Sequence, residues 1–164
     1  MRLLAVDPGY DRCGVAVFEG NTLCYSTCIE TNKSDSHPKR LSAVNTALSA
    51  LIEEWRPEVL ALETLFFSIN KKTAIKVAEA RGVIMQCAGA HHLHVLELSP
   101  QEVKLSMTGV GNADKKQVQK MTVLVLKIDD AGKRDDEIDA IALGAAAAQK
   151  WAVENSAKSL AKKK

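Results

Sequence analysis

The opening of the chain constrains its fold most, because three β-type runs separated by turn signals precede any helical pattern. Leu3 to Val6 is an apolar run stopped by Asp7-Pro8-Gly9. Cys13 to Phe18 follows, and Gly20-Asn21 turns the chain into a third run, Leu23 to Ile29. Short runs joined by such turns pair antiparallel, so a three-stranded antiparallel unit is expected first. Residues 31–38 form a polar loop. From there the pattern alternates. Leu41, Val44, Leu48, Leu51, Ile52 and Trp55 fall at helical spacing, and Pro57 ends that helix. Val59 to Leu62 reads as a fourth strand terminating at Glu63, and Leu93 to Leu98 as a fifth. Between them lies a helix over Lys72 to Ala88, with Ile75, Ala78, Val83 and Cys87 expected on its buried side. Ser99-Pro100 opens a short helix that Thr108-Gly109-Val110-Gly111 breaks, Asp114 to Lys127 resumes as another, and Asp136 to Trp151 is the alanine-rich last one. Antiparallel strands followed by alternating helix and strand predict an α/β fold: a mixed five-stranded sheet covered by helices on both faces. The expected division is one domain over residues 1–153 and a basic, disordered tail over 154–164.

Composition limits the function classes. With 164 residues and 46% hydrophobic side chains the chain can bury a real core. No apolar run approaches the roughly 20 residues that span a bilayer. The opening Met-Arg-Leu-Leu-Ala-Val reaches a carboxylate at Asp7, which is unlike a signal peptide, and Cys13, Cys24, Cys28 and Cys87 lack zinc-type spacing. A cytoplasmic protein with reduced thiols is expected. His91, His92 and His94 sit at a helix-to-strand junction and read as structural or surface residues.

The net charge of +2 excludes a binder driven by bulk positive charge, but it conceals segregation. Lys71, Lys72, Lys76 and Arg81 face only Glu79 within residues 70–81, and residues 99–134 are also basic. Asp135, Asp136, Glu137 and Asp139 stand without a cation in residues 135–149, and the stretch from Lys150 onward is basic again. Basic segments flanking a concentrated acidic one suggest a polyanion surface around an acidic centre.

Four acids are placed to form that centre. Asp7 and Glu63 end the first and fourth strands, and functional groups gather beyond strand ends in open α/β sheets. Asp136 and Asp139, three apart in a helix's first turn, share one face, although Asp135 could also reach it. Each acid alone is ordinary turn or cap chemistry, but Glu63 closing an apolar strand has no structural use. Hard oxygen ligands without sulfur or imidazole fit Mg²⁺ or Mn²⁺. Two such ions about 3.5–4 Å apart can activate water and stabilise the leaving oxygen in phosphodiester cleavage.

Asp7-Pro8-Gly9 with Gly14-Val15-Ala16, Ala61 to Phe67, Asn70, Glu79 to Val83, Val103-Lys104, Thr108 to Gln119 and Asp136 to Ala142 together carry a resemblance to the bacterial RuvC-type Holliday-junction resolvases. It runs in order over about residues 1–150. It implies a ribonuclease H-like fold, a homodimer, Mg²⁺ or Mn²⁺ with two ions per site, and symmetric nicking of four-way junction DNA leaving 5′-phosphate and 3′-hydroxyl ends. It assigns metal ligation to Asp7, Glu63, Asp136 and Asp139, and places Lys104 and Lys115 near the scissile phosphate. Phe66 matches an aromatic that stacks on junction bases. Phe67 is the better candidate of the pair for core packing, in a chain with only 4% aromatics. Asn70, Lys71, Lys72, Lys76, Arg81, Lys116 and Lys120 fit DNA-backbone contacts. A branch-migration helicase is an implied partner. The segment between the two aspartates departs from the family, which more often has small residues there. Alternatives are a YqgF-like ribonuclease on structured RNA and a catalytically silent junction-binding module. A sugar-kinase-like lobe, suggested by Asp7-x-Gly9 and Gly14, would need a second lobe that this length cannot supply.

Overall fold

The computed structural model describes residues 1–64 and 71–161, with the side chains of 71–73 and 157–161 outside the description. Strands β1 (Arg2–Asp7), β2 (Arg12–Glu19) and β3 (Thr22–Glu30) are followed by α1 (His37–Trp55), β4 (Val59–Glu63), α2 (Lys71–Ala90) and β5 (His94–Leu98). Helices α3 (Pro100–Thr108), α4 (Lys115–Leu126) and α5 (Asp135–Ala161) complete the order. The sheet runs β3-β2-β1-β4-β5. β1 pairs antiparallel with β2 and β2 with β3, while β4 lies parallel to both β1 and β5. The expected mixed five-stranded sheet with three antiparallel strands first is therefore the fold.

Alternation along β1 divides the core in two. Leu3 and Ala5 face one side, with Ala16, Phe18 and Ala61, against α3, α4 and the alanine face of α5. Leu4 and Val6 face the other, with Val15, Val17, Leu60 and Leu62, against α1 and α2. Strands covered on both faces read as continuous apolar runs, which is why β1 and β4 were legible. Small residues let α5 approach closely: a Cβ at Gly144 would stand 2.4 Å from the Phe18 ring.

Local signals set most helix ends. Ser99 and Glu102 form a capping box on α3, with Pro100 in its first turn, and Asp114 and Gln117 do the same for α4. Helix α1 starts at His37, earlier than its apolar stripe: Pro38 suits its first turn, while Ser36 stands at the N-cap in extended conformation without a side-chain cap bond. One expectation needs correction: among the described residues of α2 the buried ones are Ala80, Ile84, Cys87 and Ala88, whereas Ile75 is 61% exposed. Helix α5 runs past Trp151 to Ala161. Alanine-rich sequence with no Gly or Pro offers no stop signal there. All four cysteines are free. No helix among the described residues is long and apolar enough to cross a membrane.

Candidate active site

Asp7 and Glu63 are neighbours by register. Val6 pairs with Leu62 in the parallel β1–β4 ladder, so the next residue of each strand emerges at the same sheet end. The second contribution comes from α5. Gly14 pairs with Asp7 across β1 and β2, and a Cβ on Gly14 would lie 1.8 Å from the Asp136 backbone oxygen. The bare glycine backbone thus seats the first turn of α5 beside the end of β1. That turn carries Asp135, Asp136 and Glu137 at the positive end of the helix dipole.

One pocket gathers Asp7, Glu63 and Asp139 with Lys104 and Lys115, over an apolar floor that includes Val103, Val118 and Leu143. Lys115 Nζ lies 2.7 Å from Asp139 Oδ2, and Gln119, one turn further along α4, donates to Asp139 Oδ1 at 3.0 Å. Burial first, then the charges of Asp139, Glu63 and Asp136, push the Asp7 carboxyl up to about 7. Burial and Asp139 likewise raise Glu63, opposed by Lys104 and Lys115. Partial burial depresses the Lys115 ammonium, but its bond to Asp139 and the other acids outweigh this and raise it. Beneath the site, burial and then the Asp7 charge push the Cys13 thiol up to about 12, so it stays neutral. The site holds more negative charge than its lysines neutralise.

Asp136 is close but turned aside. It lines a neighbouring groove with Tyr10, Arg12, Lys33, His37 and Lys76, rather than the pocket. Arg12 Nε stands 2.9 Å from its Oδ2, yet that buried oxygen accepts no hydrogen bond among the described residues. Asp135 is exposed. As the side chains stand, no group of three or more His, Cys, Asp or Glu among the described residues is set to hold a metal ion. The donor set nevertheless fits a hard divalent cation in two respects. Burial and then the neighbouring acids raise Asp7 to about 7, and one buried carboxylate oxygen lacks a hydrogen bond.

The remaining expected contacts divide. Lys76 lies in the groove, 4.7 Å from the centre of the Tyr10 ring. Lys116 is exposed on α4, and Lys120 borders a separate cleft with Asn112, Met121 and Leu124. Arg81 is ion-paired with Glu97 and hydrogen-bonds the Glu63 carbonyl, so its charge braces the strand ends instead of facing solvent. Phe66, Phe67 and Asn70 lie outside the described residues, as do the side chains of Lys71 and Lys72. His94 packs against Trp151, an ordinary structural role. Sequence reasoning missed Arg12 and Gln119. Gln119 was within reach, since it lies four residues after Lys115 on the same helix face. Arg12 gave no signal, because its partner is distant in sequence. Glu137 is taken by Ser26 and Lys133, and Glu30 on β3 by Arg134, so these two acids are paired structurally.

Residues 3–147 match the family described as "Crossover junction endodeoxyribonuclease RuvC". The protein of that name from Thermosipho melanesiensis is 42% identical over 147 residues, covering 87% of this chain and 94% of its own. The one from Brachyspira hyodysenteriae is 41% identical over 162 residues, covering 96% of this chain and 100% of its own. Among solved structures, Thermus thermophilus RuvC superposes with a TM-score of 0.78 at 25% identity, covering 89% of this chain and 92% of its own. The structure described as "T. thermophilus RuvC in complex with Holliday junction substrate" gives 0.80 at 24% identity, with the same coverage.

Proposed function

Because the chain belongs to the RuvC family of crossover junction endodeoxyribonucleases, we propose that it hydrolyses phosphodiester bonds in four-way DNA junctions. The observation that carries this is the convergence of Asp7, Glu63 and Asp139 with Lys104 and Lys115 around one pocket at the sheet end. An acid cluster alone would repel the DNA backbone, and lysines alone would bind it without chemistry. Together they suit metal-assisted attack on a phosphate.

Asp7, Glu63, Asp139 and Asp136 are the residues to hold Mg²⁺ or Mn²⁺, two ions in this reading, and the bound cations supply an activated water and leaving-group stabilisation. The chain does the rest. Asp7, whose carboxyl burial pushes up to about 7, would bind a cation as the carboxylate, its proton passing to solvent. Lys104 and Lys115 orient the scissile phosphate and offset the charge that develops on it. The apolar floor excludes bulk water and strengthens these interactions. Lys76 and Lys116, with Lys71, Lys72 and Lys120, take the phosphate backbone, and Phe66 stacks on a junction base. Residues 1–153 form the nuclease domain, and a homodimer presents two such sites for symmetric nicks that leave 5′-phosphate and 3′-hydroxyl ends. A branch-migration helicase partner and a cytoplasmic location belong to the same proposed reading.

The experiment is cleavage of three substrates with and without Mg²⁺: a mobile four-way DNA junction, a linear duplex of the same sequence, and a structured RNA. Paired nicks confined to the junction and dependent on the metal support the proposal. Preference for RNA would replace it with a ribonuclease, and tight junction binding without nicking with a binding module.

A further inference from the structure

Of the four site acids, Asp136 is the one outside the pocket, and a cation of the protein itself occupies it. Arg12 Nε stands 2.9 Å from Asp136 Oδ2. The N–H is not aimed at that oxygen, which accepts no hydrogen bond among the described residues, so the pair is held by charge and not by a directed bond. Both residues line the groove with Lys33 and Lys76. On the other side of the Asp7 strand end, Lys115 occupies Asp139 within the pocket. Asp136 and Asp139 therefore each have a cation of their own, but only Lys115 holds its partner where Asp7 and Glu63 are. With the side chains so arranged, the described residues lack a ready set of three ligands.

We propose that Arg12 is a positioning residue that holds Asp136 outside the pocket, so that a divalent cation must compete with its guanidinium for this carboxylate. The inference rests on the nuclease reading, which assigns the acids to metal. Arg12 is half-exposed and Asp136 is 25% exposed, so the competition is moderate. Exposed ion pairs are worth about 0.2–1 kcal/mol. At about 1.36 kcal/mol per tenfold in affinity, losing the competitor tightens divalent-cation binding by about 1.5- to 5-fold.

The test is Mn²⁺ affinity of the DNA-free full chain, read from the electron paramagnetic resonance signal of the free ion. Arg12→Ala should bind Mn²⁺ tighter by that factor, while Arg12→Lys, which keeps a cation at the groove, should stay near the parent. Arg12→Gln serves if the alanine variant does not fold. The decisive comparison repeats the substitution in an Asp136→Asn background, where the gain should vanish because the contested carboxylate is gone. No tightening in the parent, or equal tightening in both backgrounds, overturns the inference. The second result would assign the effect to net charge alone. A parent chain that takes up no Mn²⁺ overturns the metal reading itself and this inference with it. Equal affinities overturn this inference only.

Discussion

The Asp136 backbone oxygen lies so close over Gly14 that a Cβ there would stand 1.8 Å from it. Backbone cannot swing aside as a flexible side chain can, so any larger residue must lift the first turn of α5 from β2. That turn carries Asp136, and Asp139 follows on the same face. Gly14→Ala is therefore expected to destabilise the fold by about 1–3 kcal/mol, as overpacking does, and to reduce nicking further than the stability loss explains. Urea unfolding beside a nicking assay checks both. Gly82, with nothing near the position of a Cβ, is the contrast: Gly82→Ala in the middle of α2 should leave stability unchanged or raise it by up to about 1 kcal/mol.

Lys115 is the second lever on the site. Its 2.7 Å pair with Asp139 holds a cation among three carboxylates, and its charge lowers both Asp7 and Glu63. Lys115→Ala should slow nicking by about 100-fold, the scale for losing one preorganised charge. Single-turnover rates at saturating protein separate this from weakened junction binding.

The acid limb of stability should report on Glu102. Lys150 and the Ser99 capping box hold its carboxyl down to about 2, below the ordinary glutamate range. A depressed folded value means stability that is complete above the unfolded value, near 4.5, and is lost as pH falls from there toward 2. Glu102→Gln should flatten that part of the stability curve and cost about 1 kcal/mol at neutral pH through the weakened cap. The ion pair to Lys150 is half-exposed and adds little. Chemical denaturation across the acid range measures both effects.

Glu137 tests whether the paired acids of α5 are structural. It is 8% exposed and bonded by Ser26 and Lys133, which ties the helix start to β3. Glu137→Ala removes the acceptor that Ser26 and Lys133 share, leaving them only their bond to each other, and should cost about 1–3 kcal/mol. If the same change leaves stability at the parent value, Glu137 does not anchor α5.

The architecture was legible because its signals are local. Apolar runs between turns marked β1 to β5, and Ser99, Pro100 and Asp114 marked helix starts. Glu63 stood out because a carboxylate ending an apolar strand has no packing use, and Asp7, ordinary as a turn residue, gained meaning beside it. Where evidence had to cross the sheet, reading failed. The buried face of α2 was misjudged at Ile75, since its scattered apolar residues define no clear stripe until α1 selects one. The ion pair of Arg81 with Glu97 on β5 was likewise not legible within a basic segment. Arg12 and Asp136 are 124 residues apart, and only the β1–β2 register and the seating of α5 on Gly14 bring them together.

Asp7 and Glu63 are expected to serve metal-dependent cleavage and not junction binding. Asp7→Asn and Glu63→Gln keep shape while removing charge, so the direct measurement is Mg²⁺-dependent nicking of a mobile four-way junction, beside junction binding by the same proteins. Both variants are predicted to lose nicking by at least about 100-fold while binding the junction as tightly as the parent, or more tightly. Parent-like nicking by either variant would contradict the account.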